Sequence, residues 1–105
     1  MPNFMWQRHL TDARHHVQLT LEQIGTTLLA RRYHMGLDQD EVARRAGTLI
    51  EETLTQIEIS NLENGILPAR MRDESPRLRA VFQALEFNDV DEYVAMIVDL
   101  DRHRG

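Results

Sequence analysis

Three side-chain amides and a set of arginines are the groups in this chain best suited to specific chemistry. Gln39, Gln56 and Asn61 each place a carbonyl acceptor beside an amide donor on one planar group, which matches N6 and N7 of adenine. All twelve basic residues are arginine. A guanidinium makes bidentate bonds to phosphate and guanine that an ammonium cannot. Genomic base composition produces the same bias, so arginine usage alone selects no partner. Other chemistries find little support. The absence of cysteine removes disulfides, thiolate metal sites and thiol nucleophiles. The five histidines, His9, His15, His16, His34 and His103, include no pair at the i, i+4 ligand spacing, so no metal and no cofactor is expected. There is no glycine-rich phosphate loop, no Ser-His-Asp grouping can be argued from order, and Asp99 and Asp101 read as surface acids. The expectation is a protein that is not an enzyme.

Such amides act only when rigid elements hold them. A chain of 105 residues with 42% hydrophobic content is long and apolar enough for one domain with a real core. No apolar run approaches the roughly 20 residues of a membrane span. The first residues, Met1 to Trp6, lack the basic start and apolar stretch of a signal peptide, so no membrane and a cytoplasmic location are expected. The net charge of −5 argues against a nonspecific coater of DNA. Its distribution is uneven: residues 36–65 hold seven acids and two arginines, while 1–35 and 66–80 are mildly basic.

Helical periodicity runs through most of the chain, and proline occurs only at positions 2, 68 and 76. Trp6, Leu10, Ala13 and Val17 form one face of a helix from about Asn3 to His16. Thr20 is the N-cap of a second helix reaching His34, with Ile24, Leu28 and Met35 on its buried side and Gly36 after it. Asp38 with Glu41 forms a capping box for a third, in which Val42, Ala43 and Ala46 face inward and Gly47 is the end. A fourth spans about Leu54 to Asn64 and stops at Gly65. After a loop, Leu78, Val81, Phe82 and Leu85 mark a fifth from Pro76. A sixth runs from about Val90 to Arg102, with Val90, Tyr93, Val94, Ile97 and Leu100 as its stripe. The alternation at 16–22 and 55–60 is weak beside these signals and reads as helix or extended arm.

Two segments resemble a known family. Met35-Gly36-Leu37-Asp38-Gln39-Asp40-Glu41-Val42-Ala43-Arg44-Arg45-Ala46-Gly47 is similar to the first half of a phage-repressor/Cro-type (Xre-type) helix-turn-helix. Leu54 to Gly65, with its Asn61-Leu62-Glu63-Asn64-Gly65 ending, is similar to the second half. The likeness covers about residues 20–100. It implies an all-α, lambda-repressor-like five-helix domain at 20–105, preceded by an N-terminal helical arm at 1–19. It further implies a sequence-specific transcriptional regulator, a homodimeric repressor reading the major groove of double-stranded DNA with the helix around 55–64. The implied DNA-binding residues are Gln39, Thr55, Gln56, Ile57, Ser60, Asn61, Asn64, Arg70 and Arg72, with Ile57 on a thymine methyl and the arginines on phosphate. Ile59 and Leu62 point to the core, and Arg32 and Glu63 form a structural ion pair. The residues themselves leave alternatives open: Gln39 and Gln56 also read as plain polar surface, Arg70 and Arg72 as solvated loop charges, and Ile57 as core beside Ile50 and Leu54.

The chain departs from the family where Thr48 to Thr53 separate the two halves. Either the turn is longer, or Thr48 and Glu51 lengthen the recognition helix backward. Glu51, Glu52 and Glu58 fall near the expected phosphates and would repel DNA if uncompensated. The arm, with Phe4, Met5, Trp6 and Leu10, either packs on its own domain or is exchanged with a second subunit. Met96 and Val98 add apolar surface that also points to a dimer. Two further functions fit the acidic middle: the antitoxin of a toxin–antitoxin pair, with the arm or acidic surface holding a protein partner, and an interaction module that keeps the fold alone.

Overall fold

The computed structural model describes residues 20–72 and 76–104. These are all-helical: α1 (Leu21–His34), α2 (Gln39–Ile50), α3 (Gln56–Glu63), α4 (Pro76–Ala84) and α5 (Val90–Arg104), with a short 3-10 turn at Ala69–Met71. The helix expected at 3–16 and the arm at 1–19 lie outside the described residues.

Capping sets the helix starts. The Thr20 hydroxyl accepts from Gln23 N–H at 3.1 Å, while Gln23 Oε1 accepts from Thr20 N–H at 2.8 Å. Asp38 accepts from Glu41 N–H at 2.8 Å to start α2. Thr55 and Glu58 cap α3 reciprocally. Each cap satisfies N–H groups that a helix leaves orphaned and contributes about 1 kcal/mol.

The apolar stripes converge on one core. Ile24 and Leu28 of α1, Val42 and Ala46 of α2, Ile59 and Leu62 of α3, Leu78 and Phe82 of α4, and Val94 and Ile97 of α5 are all buried. Burying one of the larger of these side chains contributes roughly 1.5–3 kcal/mol. α2 packs most extensively on α4, and α3 lies against both α1 and α2. The α1–α3 crossing depends on Gly25, where a Cβ would sit 2.4 Å from the Leu62 carbonyl oxygen. Phe82 stacks on Tyr93 with centroids 5.1 Å apart, and Phe87 meets both rings edge-on, joining α4 to α5. No helix among the described residues is long and apolar enough to cross a membrane.

Two expectations are corrected, and the alternative that put Ile57 in the core is closed. Gly47 does not end its helix, which continues to Ile50. Its lack of a side chain serves a close approach instead: Glu52 N–H donates to the Gly47 carbonyl at 3.0 Å, and a Cβ on Gly47 would be 2.4 Å from Glu52 O. The extra residues therefore lengthen α2 forward, with Glu51 left-handed at φ 56°, rather than lengthening α3 backward. Val98 is buried in the core and Met96 packs against it, so neither forms a separate apolar face on α5. Ile57 is 67% exposed and takes no part in the core, because α3 turns Glu58, Ile59 and Leu62 inward.

Candidate nucleic-acid interface

The site rests on a buried ion pair. Arg32 Nε lies 2.5 Å from Glu63 Oε2 and Nη2 donates to Glu63 Oε1 at 3.0 Å, with the two side chains 9% and 5% exposed. Arg32 Nη1 also donates to the Leu37 carbonyl at 3.0 Å, tying the α1–α2 connection to the same group. The Glu63 hydrogen bond raises the arginine pKa above its usual value against the opposing effect of burial.

From this pair a chain of hydrogen bonds runs outward. Gln39 Nε2 donates to Glu63 Oε1 at 2.8 Å, and Gln56 Nε2 donates to Gln39 Oε1 at 2.5 Å. Gln56 and Glu63 stand at the two ends of α3, seven residues apart and so on one face. Gln39 is the first residue of α2 and bridges them. Every donor in the chain points toward the carboxylate, so the amide of Gln56 has a fixed sense. Among the described residues none bonds its Oε1 or its second Nε2 hydrogen.

The remaining expected residues are placed around this chain. Gln56, Ile57 and Asn64 are exposed, Ser60 and Asn61 half-buried, and Thr55 exposed while capping α3. Asn64 Nδ2 donates to the Ser60 carbonyl at 2.8 Å, so it also closes the end of its own helix.

Arg70 does not stand as a free cation for phosphate. Its Nε donates to Glu58 Oε2 at 3.0 Å, and its Nη2 donates to Glu58 Oε1 and to the Thr53 carbonyl, both at 2.8 Å. The pairing follows from Glu58 being turned inward by the capping box, where it needs a counter-charge. That bond, strengthened by the Thr55 backbone N–H, holds the Glu58 carboxyl below the usual carboxylate range although burial opposes it. Arg72 lies across from α5, 3.8 Å from Asp101, and is not grouped with the amides by any contact.

The acidic middle segment is largely compensated. Of its seven acids, Glu41 pairs with Arg44, Glu52 with Arg77, Glu58 with Arg70 and Glu63 with Arg32. Asp38 caps α2. The repulsion expected from Glu52 and Glu58 is thus reduced by arginines from the basic flanks. Sequence reasoning missed the Arg70–Glu58 clamp, although Thr55 followed by Glu58 at the third position carried the signal that Glu58 turns back on the helix start. No group of three metal-binding side chains occurs among the described residues. No protein-family model, curated protein or solved structure matches this chain.

Proposed function

We propose that residues 20–104 are a lambda-repressor-like helix-turn-helix domain that binds double-stranded DNA as a transcriptional regulator, with α3 as its recognition helix. The observation that carries this reading is the Arg32–Glu63–Gln39–Gln56 chain. It holds two amides side by side at the starts of α2 and α3, next to an exposed Ile57.

In this role Gln56 accepts from adenine N6–H and donates its second Nε2 hydrogen to N7. Ile57 packs on a thymine methyl, and Asn61 reads one turn further along. Thr55, Ser60 and Asn64 complete the polar surface of α3. Gln39 aligns Gln56, Arg70 holds the start of α3 through Glu58, and Arg72 would reach phosphate only by exchanging Asp101 for it. Two copies would act as a repressor on half-sites one helical turn apart.

A mobility-shift assay on DNA upstream of its own gene, run across salt, tests this. Gln56→Ala should weaken a specific site by about 1–3 kcal/mol and random DNA hardly at all. Equal losses on both would sink the assignment of base contacts.

One observation favours a second reading. Leu49, on the added turn of α2, is 54% exposed, and its chain neighbour Thr48 lines an open groove of about 540 Å³ together with Asp40 and Glu51. This surface suits a protein partner, such as the toxin of a toxin–antitoxin pair or the target of an interaction module. Absence of any shifted DNA at low salt would favour it.

A further inference from the structure

Tyr33 is 70% exposed, more than any other large apolar side chain among the described residues. It stands in the last turn of α1, which carries Arg31, Arg32 and His34 and no acid. In a chain of net charge −5 this turn is locally basic. The ring is held on one side: the Arg32 guanidinium carbon lies 4.8 Å from its centroid, a cation–π contact. Glu63 and the Leu37 carbonyl accept three hydrogen bonds from the same guanidinium. Arg32 also lines an open cleft of about 380 Å³ together with Asp38, Gln39, Asp40 and Gln56. The phenol therefore stands beside the amides, on a different helix, with most of its surface in water. Exposure forfeits the burial that usually stabilises an aromatic residue.

We propose that Tyr33 is a further DNA contact, its hydroxyl donating to a backbone phosphate beside the bases that α3 reads. The inference rests on the DNA-binding reading and extends the interface to α1. Three observations select phosphate. First, the arginines expected to hold it are engaged, Arg70 by Glu58 and Arg72 by Asp101. A tyrosine hydroxyl is an ordinary neutral donor to phosphate. Second, the basic turn around Tyr33 favours an anion over a cation. Third, the phenol proton is not spent on its neighbour. Tyr33 contributes to raising the Arg32 pKa, as an acceptor facing the guanidinium would. A guanidinium offers no acceptor in return, so the O–H is left to donate elsewhere.

A neutral donor leaves a signature that a cation does not. It neutralises no phosphate, so its loss lowers affinity without changing the slope of log K against log salt. Mobility shifts are to be measured across salt for the full chain and for Tyr33→Phe, on DNA upstream of its own gene and on random DNA. Phenylalanine keeps a ring against Arg32 and removes only the hydroxyl. The expected result is a loss of about fivefold, the worth of one hydrogen bond, on both DNAs alike and with the slope unchanged. Circular dichroism checks that the domain stays folded. Binding by Tyr33→Phe equal to that of the unaltered chain overturns the proposal. A further loss in Tyr33→Ala, with a lowered urea midpoint, then makes the ring a cover for Arg32 and nothing more. A loss confined to the upstream DNA overturns it too, because the hydroxyl then acts through Arg32 on the amides. Both outcomes leave the DNA-binding reading standing. Absence of any shift by the unaltered chain at low salt overturns that reading and this proposal together.

Discussion

The two acids of α3 are both turned inward, and they fail differently when altered. Glu63 faces a buried guanidinium and the Gln39 amide. Glu63→Gln leaves Arg32 buried with its charge unpaired, so a loss of about 3 kcal/mol is expected in urea unfolding. Arg32→Met combined with Glu63→Leu should recover part of it, since an apolar pair avoids the desolvation cost. Glu58 faces Arg70 at the more open start of the helix. Its folded pKa lies below the ordinary 4.5, so the stabilisation is present above about pH 4.5 and is lost as pH falls through the folded value. Glu58→Gln should lower the urea midpoint at pH 7, and the gap to the unaltered protein should narrow as pH falls below 4.5 and through the lowered folded value. A constant gap would show that Glu58 acts by shape and not by charge. The sequence made the Arg32–Glu63 pair legible only through resemblance. It made Glu58 legible through capping chemistry. Nothing in it pointed to Arg70, which lies twelve residues beyond Glu58, outside the reach of helical periodicity.

Helix boundaries depended on what each glycine was for. Thr20 and Asp38 marked their helix starts correctly because capping is a local interaction between neighbours in sequence. Gly47 misled because its function is set by Glu52, five residues away across the turn. Gly25 gave no signal at all, since it sits inside a helix and its meaning appears only when α3 crosses it. Gly25→Ala should force α1 away from the Leu62 and Glu63 carbonyls and cost about 3 kcal/mol in chemical denaturation. A change below about 0.5 kcal/mol would show that the two helices part easily. The crossing also matters for the amides, because α1 carries Arg32 and α3 carries Glu63. A displaced α1 would disturb Gln39 and Gln56 from a distance.

At the scale of the molecule, the fold class was legible because the stripes of five helices each match one buried face, whereas the pairing of helices was not. Charge behaves similarly: the sum of −5 was plain, but its arrangement was not. Arginines from the basic flanks are spent internally on Glu52, Glu58 and Glu63. If the proposed DNA binding holds, few cations remain for the backbone, and log K should fall with log salt with a slope of about −3 or shallower per protomer, at ~0.9 for each phosphate neutralised. A slope steeper than about −6 would mean that these arginines leave their partners on binding. The amide chain has a consequence for entropy as well. A glutamine free on a helix surface gives up about 1.5–2 kcal/mol of rotamer freedom when it is immobilised. Gln56 is already held by Gln39, which is held by Glu63, so much of that freedom is surrendered when the domain folds. Any ligand that reads Gln56 meets a side chain already ordered, and the ordering cost falls on the stability of the protein and not on the affinity of the complex.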